Sequence, residues 1–289
     1  MLQQNTVDDF LDCYLSGTDG KDVAERIAHN QARVGEITED WVPPAGPELV
    51  ESPKDKKLPK RTLASIFIIL VLIPITIWAG VTFGNDRKYM FVALCIMFYT
   101  MAPFFMVFEG RKPKARELMV LAVLIAITAV GRMAFFMLPH FKPVTAIVII
   151  AGVCFGAESG FMVGAMGGFM SNFFFGQGPW TPYQMFSWGI IGFLAGILFK
   201  KGKLKAKKSS LCIYGFLATF FIYGFLMDTA SPLMFYQGEI TLMSFLPYYV
   251  SGAPVNFVHA VSTVLFIWIA GKPMIEKLER IKVKYGLIE

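Results

Sequence analysis

Between Thr62 and Ala270 the chain returns eight times to apolar runs long enough, or nearly long enough, to cross a lipid bilayer. The hydrocarbon layer is about 30 Å thick and takes roughly 20 apolar residues as a helix. Helices and closed barrels alone satisfy every backbone N–H and C=O without water, so this pattern fixes the class of fold. The runs are Thr62–Thr82, Tyr89–Phe108, Leu118–Leu138, Val144–Ala157, Gly160–Phe175, Tyr183–Phe199, Leu211–Ala230 and Pro254–Ala270. They predict an all-α integral membrane protein of about eight spans. A two-helix transmembrane hairpin (61–109) precedes a six-helix substrate-binding membrane domain (110–274), with a polar segment and linker at 1–60 and a basic tail at 275–289. Apolar residues make up 55% of 289, which a water-soluble domain rarely reaches. Val144–Ala157 and Gly160–Phe175 would each be only about 21–24 Å long, so a single re-entrant pair is the alternative to two crossings.

Positive charge sets the expected orientation, because short cytoplasmic loops collect Lys and Arg. Lys54, Lys56, Lys57, Lys60 and Arg61 lie on one side, with Arg111, Lys112, Lys114 and Arg116. The same side takes the six lysines of "KKGKLKAKK" (Lys200 to Lys208) and Lys272, Lys277, Arg280, Lys282 and Lys284. The opposite loops carry Arg87, Lys88 and Lys142. A multi-pass cell-membrane protein with both termini cytoplasmic follows, and the basic balance marks topology and lipid contact rather than nucleic-acid binding.

The first 60 residues are polar and acidic without an early apolar core, so no secretory leader is expected. Short helices are predicted at Val7–Leu15 and Gly20–Ala32, followed by a Pro-rich linker. Cys13, Cys95, Cys154 and Cys212 lack metal-type spacing, and His29, His140 and His259 lack a His-x-x-x-His pair. No nucleophile elbow, phosphate-cradling loop or paired carboxylates occur. Neither an enzyme, a metal nor a cofactor is expected.

Against that background "FFFGQGPWTPYQMFSWG" (Phe173 to Gly189) is unusual: an apolar run breaks for Gly, Gln, Pro and Trp, then resumes. By the charge rule this loop faces outward, together with "PHFKP" (Pro139 to Pro143) and the long Thr229–Gly252 segment. Three outward loops rich in aromatic, Pro, Gly and amide groups suit a cup for a small organic molecule, whose apolar walls bind and whose few polar groups orient. Trp180, Tyr183, Phe235, Tyr236, Tyr248 and Tyr249 are the candidate walls, and Gln177 and Gln184 offer amides. An interfacial aromatic belt would account for any one of these rings taken alone.

Polar residues inside the spans point to the same end. Arg132, Asn172, Asp228 and Asn256 fall in the outer third of their helices. A charge at the centre of a membrane helix costs about 2.5–3.5 kcal/mol on insertion scales, so it calls for a partner or a role. Arg132 and Asp228 either pair or each meet a ligand at the floor of the cup; snorkelling of Arg132 and helix capping by Asp228 are the plainer alternatives. His259 reads as a packing residue. Gly160, Gly164 and Gly168, four apart, and Gly189, Gly192, Ala195 and Gly196 predict helices in close backbone contact.

From about Arg116 to Lys272 the chain resembles the substrate-binding S component of energy-coupling factor (ECF) vitamin transporters. The resemblance rests on the six-helix pattern, "GAESGFMVGAMGGFMSN", "GPWTPYQMFSWGIIGFLAG", and Ala122 and Ala126 on the first of the six helices. It implies capture of a vitamin or precursor between outward loops, and docking through Ala122 and Ala126 on a transmembrane coupling subunit. Two cytoplasmic ATPases would drive that complex, and toppling in the membrane would release the cargo. A cobalamin-type compound is the first candidate, a smaller vitamin precursor the second. A self-sufficient secondary transporter and an intramembrane enzyme are the rival classes. The 60-residue leader and the extra hairpin depart from the usual six-helix subunit.

Overall fold

The structure, a computed structural model, describes residues 88–110, 113, 115–200, 203–236 and 240–285, with positions 71, 72, 75 and 76. The polar segment 1–60, its two expected helices and most of the first span of the hairpin lie outside the described residues.

Seven helices and no strand appear among the described residues. They are α1 (Lys88–Gly110), α2 (Ala115–Ala134), α3 (Val144–Phe155), α4 (Ala157–Phe175), α5 (Thr181–Lys200), α6 (Lys208–Phe235) and α7 (Leu246–Lys284). Five of them, all but α3 and α4, hold stretches long and apolar enough to cross a membrane.

The centre of the bundle is α3. Its twelve residues, VTAIVIIAGVCF, are all buried. A helix apolar on every face has no preferred side to show to solvent, so it is stable only when surrounded. Here α2, α4, α5 and α7 surround it. One residue, Gly156, joins α3 to α4, at φ 99° and ψ −179°, a conformation that a side chain would strain. Lys200 at the end of α5 donates to the Phe155 carbonyl at 3.1 Å, and Ser159 donates to Glu117 in the first turn of α2 at 3.2 Å. The α3–α4 turn therefore sits level with the charged ends of α2 and α5. The short pair reaches the basic end of the bundle, even though α3 is only about 18 Å long.

Glycine lets these helices touch. A Cβ on Gly160 would collide with the Gly192 carbonyl, and one on Gly192 with the Gly160 carbonyl; Gly152 and Gly196 are blocked by backbone in the same way. In lipid, where burying apolar surface drives nothing, such close approach supplies the dispersion and polar contacts that hold helices together.

The hairpin's second helix, α1, packs on the outside of α4, α5 and α6. Phe104 stacks on Phe161 with centroids 4.2 Å apart and meets Phe193 edge-on at 5.0 Å. Met97 and Met101 are buried with Tyr183, Met185 and Ala230.

Two elements run further than the apolar pattern suggests. Thr229 to Phe235 stays helical despite Pro232, and α7 already begins at Leu246, so the expected outward loop shrinks to about ten residues. At its other end α7 continues to Lys284 and buries Ile275, Leu278, Glu279 and Lys282 under the bundle. Lys282 donates to both Glu279 oxygens, at 2.8 and 2.9 Å.

Candidate functional site

The end of the bundle opposite the α3–α4 turn carries a polar cluster built from α2, α4 and the loop that opens α5. Arg132, two residues before the end of α2, donates from Nη1 to Ser171 Oγ at 2.6 Å and to Asn172 Oδ1 at 2.7 Å. Asn172 passes the connection on. Its amide donates to Gln184 Oε1 at 2.9 Å and to Thr181 Oγ1 at 3.1 Å. Thr181 in turn donates to Gln177 Oε1 at 2.9 Å and accepts from the Gly178 N–H at 3.2 Å. Ser171, Asn172 and Thr181 are buried.

The loop "GQGPW" is thus held by side chains rather than by proline alone. Gln177 also donates to the Phe169 carbonyl at 3.1 Å, and Trp180 Nε1 to the Gly176 carbonyl at 3.3 Å. The Trp180 ring lies over Gly178, where any Cβ would strike it, and faces Phe235 of α6 at 6.4 Å. Pro182 near the start of α5 fits the first turn of a helix, where its missing N–H has no partner to lose.

Aromatic rings enclose the guanidinium. Arg132 Cζ lies 4.3 Å from the Phe175 ring centre and 5.1 Å from that of Trp188. Desolvated cation–π contacts of this kind are worth up to about 2 kcal/mol each. Trp188 stacks on Tyr223 at 5.3 Å, and Tyr223 meets His259 edge-on at 4.8 Å. His259 Nε2 is 3.1 Å from Thr145 Oγ1. Tyr223 closes the π-helical stretch Ala218–Tyr223 of α6, a register shift of the sort that often re-aims a functional side chain.

Two donors in this region lack full employment. Trp188 is 2% exposed and its Nε1 has no partner. Arg132 uses only Nη1, so Nη2 and Nε make no hydrogen bond among the described residues. On the rim, Lys142 donates to the carbonyls of Phe135 and Phe136 and lies 5.5 Å from the Phe175 ring. Lys142, outside the helices, has its pKa lowered by burial and by the Arg132 charge.

The expected site residues separate into three groups. Arg132, Asn172, Gln177, Gln184 and Trp180 come together as one network and its edge. Asp228 and Asn256 form a second unit: Asn256 donates to Asp228 Oδ2 at 2.8 Å across α6 and α7. Asp228 does not pair with Arg132, whose partners are both neutral, so that alternative falls. Tyr183 turns away from the cup into the apolar cluster beneath α1, with its hydroxyl buried and unpartnered. Tyr236 is 45% exposed just beyond α6. Asp228 and Asn256 border a pocket of about 180 Å³ that also touches Tyr249 and the rings of α6.

Sequence patterning missed Ser171, Thr181, Trp188 and Tyr223. Thr181 lies within the quoted loop and Ser171 beside Asn172, so neighbourhood was the available signal for both. Trp188 and Tyr223 looked like ordinary apolar filling of spans.

On α2 the two alanines face outward. Ala122 and Ala126 are exposed with Met119, Val123, Ile127 and Val130, while Leu121, Leu124, Thr128 and Ala129 point into the bundle. No group of three metal-ligating side chains occurs among the described residues.

These features define a membrane protein that is helical throughout its described residues, with a buried polar cluster at one end of a glycine-packed bundle. The chain belongs to the family of ECF-type riboflavin transporter S components, whose profile matches residues 112–280. The matched region takes in α2 to α6 and most of α7. A UPF0397 protein of Vibrio atlanticus is 29% identical over 102 residues, covering 34% of this chain and 56% of that one. A UPF0397 protein of Aliivibrio fischeri is 31% identical over 88 residues, 29% of this chain and 48% of the other. The chain spans about half the length of the curated relatives it matches. No solved structure matches it.

Proposed function

We propose that this chain is the substrate-capture subunit of an ECF-type importer, and that the Arg132–Asn172–Gln184 network with the Trp180 loop is where it holds a vitamin or vitamin precursor. The observation that carries this reading is Trp188 Nε1, a buried donor without a partner, on a ring 5.1 Å from the Arg132 guanidinium, whose Nη2 and Nε make no hydrogen bond among the described residues. A buried donor without an acceptor costs about 1–3 kcal/mol, which a ligand acceptor would relieve. The stacked Trp188 and Tyr223 rings, with the Phe175 ring across the guanidinium, would meet the apolar or heteroaromatic part of the ligand, and the amides of Gln177 and Gln184 would set its register. A cobalamin-type compound is our first candidate, and riboflavin, the vitamin in the family's description, the second.

In this reading the cluster faces outward and both termini lie in the cytoplasm, as the charge asymmetry directs. Docking goes through the exposed Ala122 and Ala126 face of α2, where small side chains let a coupling subunit's helix approach closely. Two ATPases supply the energy, since the chain has no phosphate-cradling Gly-x-x-x-x-Gly-Lys-Ser/Thr motif.

The test is uptake of labelled cobalamin and riboflavin into proteoliposomes holding this chain, a coupling subunit and the ATPases. Uptake that needs all components and ATP supports the proposal. Uptake by this chain alone, driven by an ion gradient, would establish a secondary transporter instead.

A further inference from the structure

Between α6 and α7, on the side of the bundle, lies a pocket that the vitamin site does not use. At its base Asp228 accepts one hydrogen bond, from Asn256 Nδ2 at 2.8 Å. No Lys, Arg or His pairs with this carboxylate among the described residues. Around it stand four aromatic rings, Phe220, Phe221, Phe225 and Tyr249. Phe220 and Phe221 meet edge-on at 5.0 Å, and Phe225 lies 6.3 Å from Tyr249. Tyr249 is fixed by its hydroxyl, 2.6 Å from Thr229 Oγ1.

The helices are shaped for this arrangement. A Cβ on Gly252 would strike the Asp228 carboxylate and one on Gly224 would strike the Asn256 amide, so each polar side chain fills the space that the facing glycine leaves. An acidic group at membrane depth is costly unless something positive or strongly donating meets it, and one amide N–H is half of what a single carboxylate oxygen can take. Four aromatic rings line the same pocket, and aromatic faces attract cations and not anions.

We propose that this pocket binds an ammonium group, the carboxylate of Asp228 accepting from it and the four rings enclosing it. Its volume of about 180 Å³ has room for a small amine headgroup. Phe221 and Phe225 are each 60% exposed, so the pocket opens on the bundle surface, where either the amine of a phosphatidylethanolamine or a soluble amine can enter.

The experiment takes the full-length protein, delipidated in detergent, and titrates it by native mass spectrometry with phosphatidylethanolamine and, as headgroup control, phosphatidylglycerol. A second arm follows thermal stabilisation by ethanolamine. Asp228→Asn keeps an oxygen acceptor for Asn256 and removes the charge. Phe221→Leu with Phe225→Leu removes two walls at exposed positions and leaves the Asp228–Asn256 pair intact. The expected result is an affinity for phosphatidylethanolamine lowered about tenfold in Asp228→Asn and lowered also in the double variant, with phosphatidylglycerol indifferent. The same dependence seen with ethanolamine alone assigns the ammonium to a soluble amine. The proposal is overturned if both probes bind wild type and Asp228→Asn alike, or if phosphatidylglycerol binds as well as phosphatidylethanolamine. Should Asp228→Asn fail to fold, the double variant decides: unchanged binding of both amines overturns the proposal.

Discussion

Arg132 of α2 donates to Asn172 of α4 at 2.7 Å, and Asn172 hands the contact to Gln184 of α5, so one guanidinium ties three helices together at the end of the bundle. Replacing Asn172 by Leu should therefore damage stability as well as binding. It leaves Arg132 with Ser171 alone and strips Thr181 of one donor. A loss of about 1–3 kcal/mol is expected, read as a lower unfolding midpoint in detergent. An unchanged midpoint would show that the network is not structural.

The backbone contact between Gly160 and Gly192 makes a sharper prediction. Gly160→Val should lower the thermal midpoint markedly, since a side chain there has only the backbone of Gly192 and Gly152 to displace. Overpacking typically costs about 1–3 kcal/mol, and here no flexible side chain can yield. Gly176→Ala is the control: nothing lies within 4 Å of its Cβ position, and only its φ of 94° resists the change. It should cost clearly less.

How much of this was legible in the sequence depends on what each feature needs. Helix positions follow from hydropathy, and the close packing of α4 and α5 follows from small residues three or four apart, because both are one-dimensional patterns. That Arg132 and Asn172 lie at the same end of the bundle follows from depth in the membrane. Depth does not give rotation about the helix axis. Tyr183 therefore looked like a cup residue and is instead buried beneath α1, while Asp228 looked like a partner for Arg132 and instead faces Asn256 and Gly252. The π-helical stretch that places Tyr223 on Trp188 also leaves no mark in the sequence. The continuation of α7 was hidden by its basic residues, which read as a tail although every fourth or third position (Gly271, Ile275, Leu278, Lys282) is buried.

That continuation can be tested through its ion pair. Glu279 and Lys282 each have 6% of their side chain exposed. Glu279→Ala leaves a buried ammonium without its carboxylate, and losing one partner of a buried pair costs about 3–5 kcal/mol. Replacing both by Met should recover much of that loss. Equal midpoints for all three proteins would mean that the end of α7 is not part of the folded bundle.

Substitutions on the exposed face of α2 should separate binding from transport. Ala126→Trp meets no neighbour among the described residues, because Ala126 points away from the bundle. Thermal stability and ligand retention are expected to hold, while co-purification with a coupling subunit and ATP-driven uptake fall at least about tenfold, the effect of a bulky residue in a close helix contact. Undiminished uptake would move the docking surface off this helix.

The most direct test of the central claim is to identify what the protein carries. Native mass spectrometry on the full-length protein, purified in detergent, would be run beside Trp180→Ala and Arg132→Ala. The account predicts a vitamin-sized mass retained by wild type and lost from both variants. A mass that both variants keep, or none in wild type even after cobalamin and riboflavin are added, would contradict it.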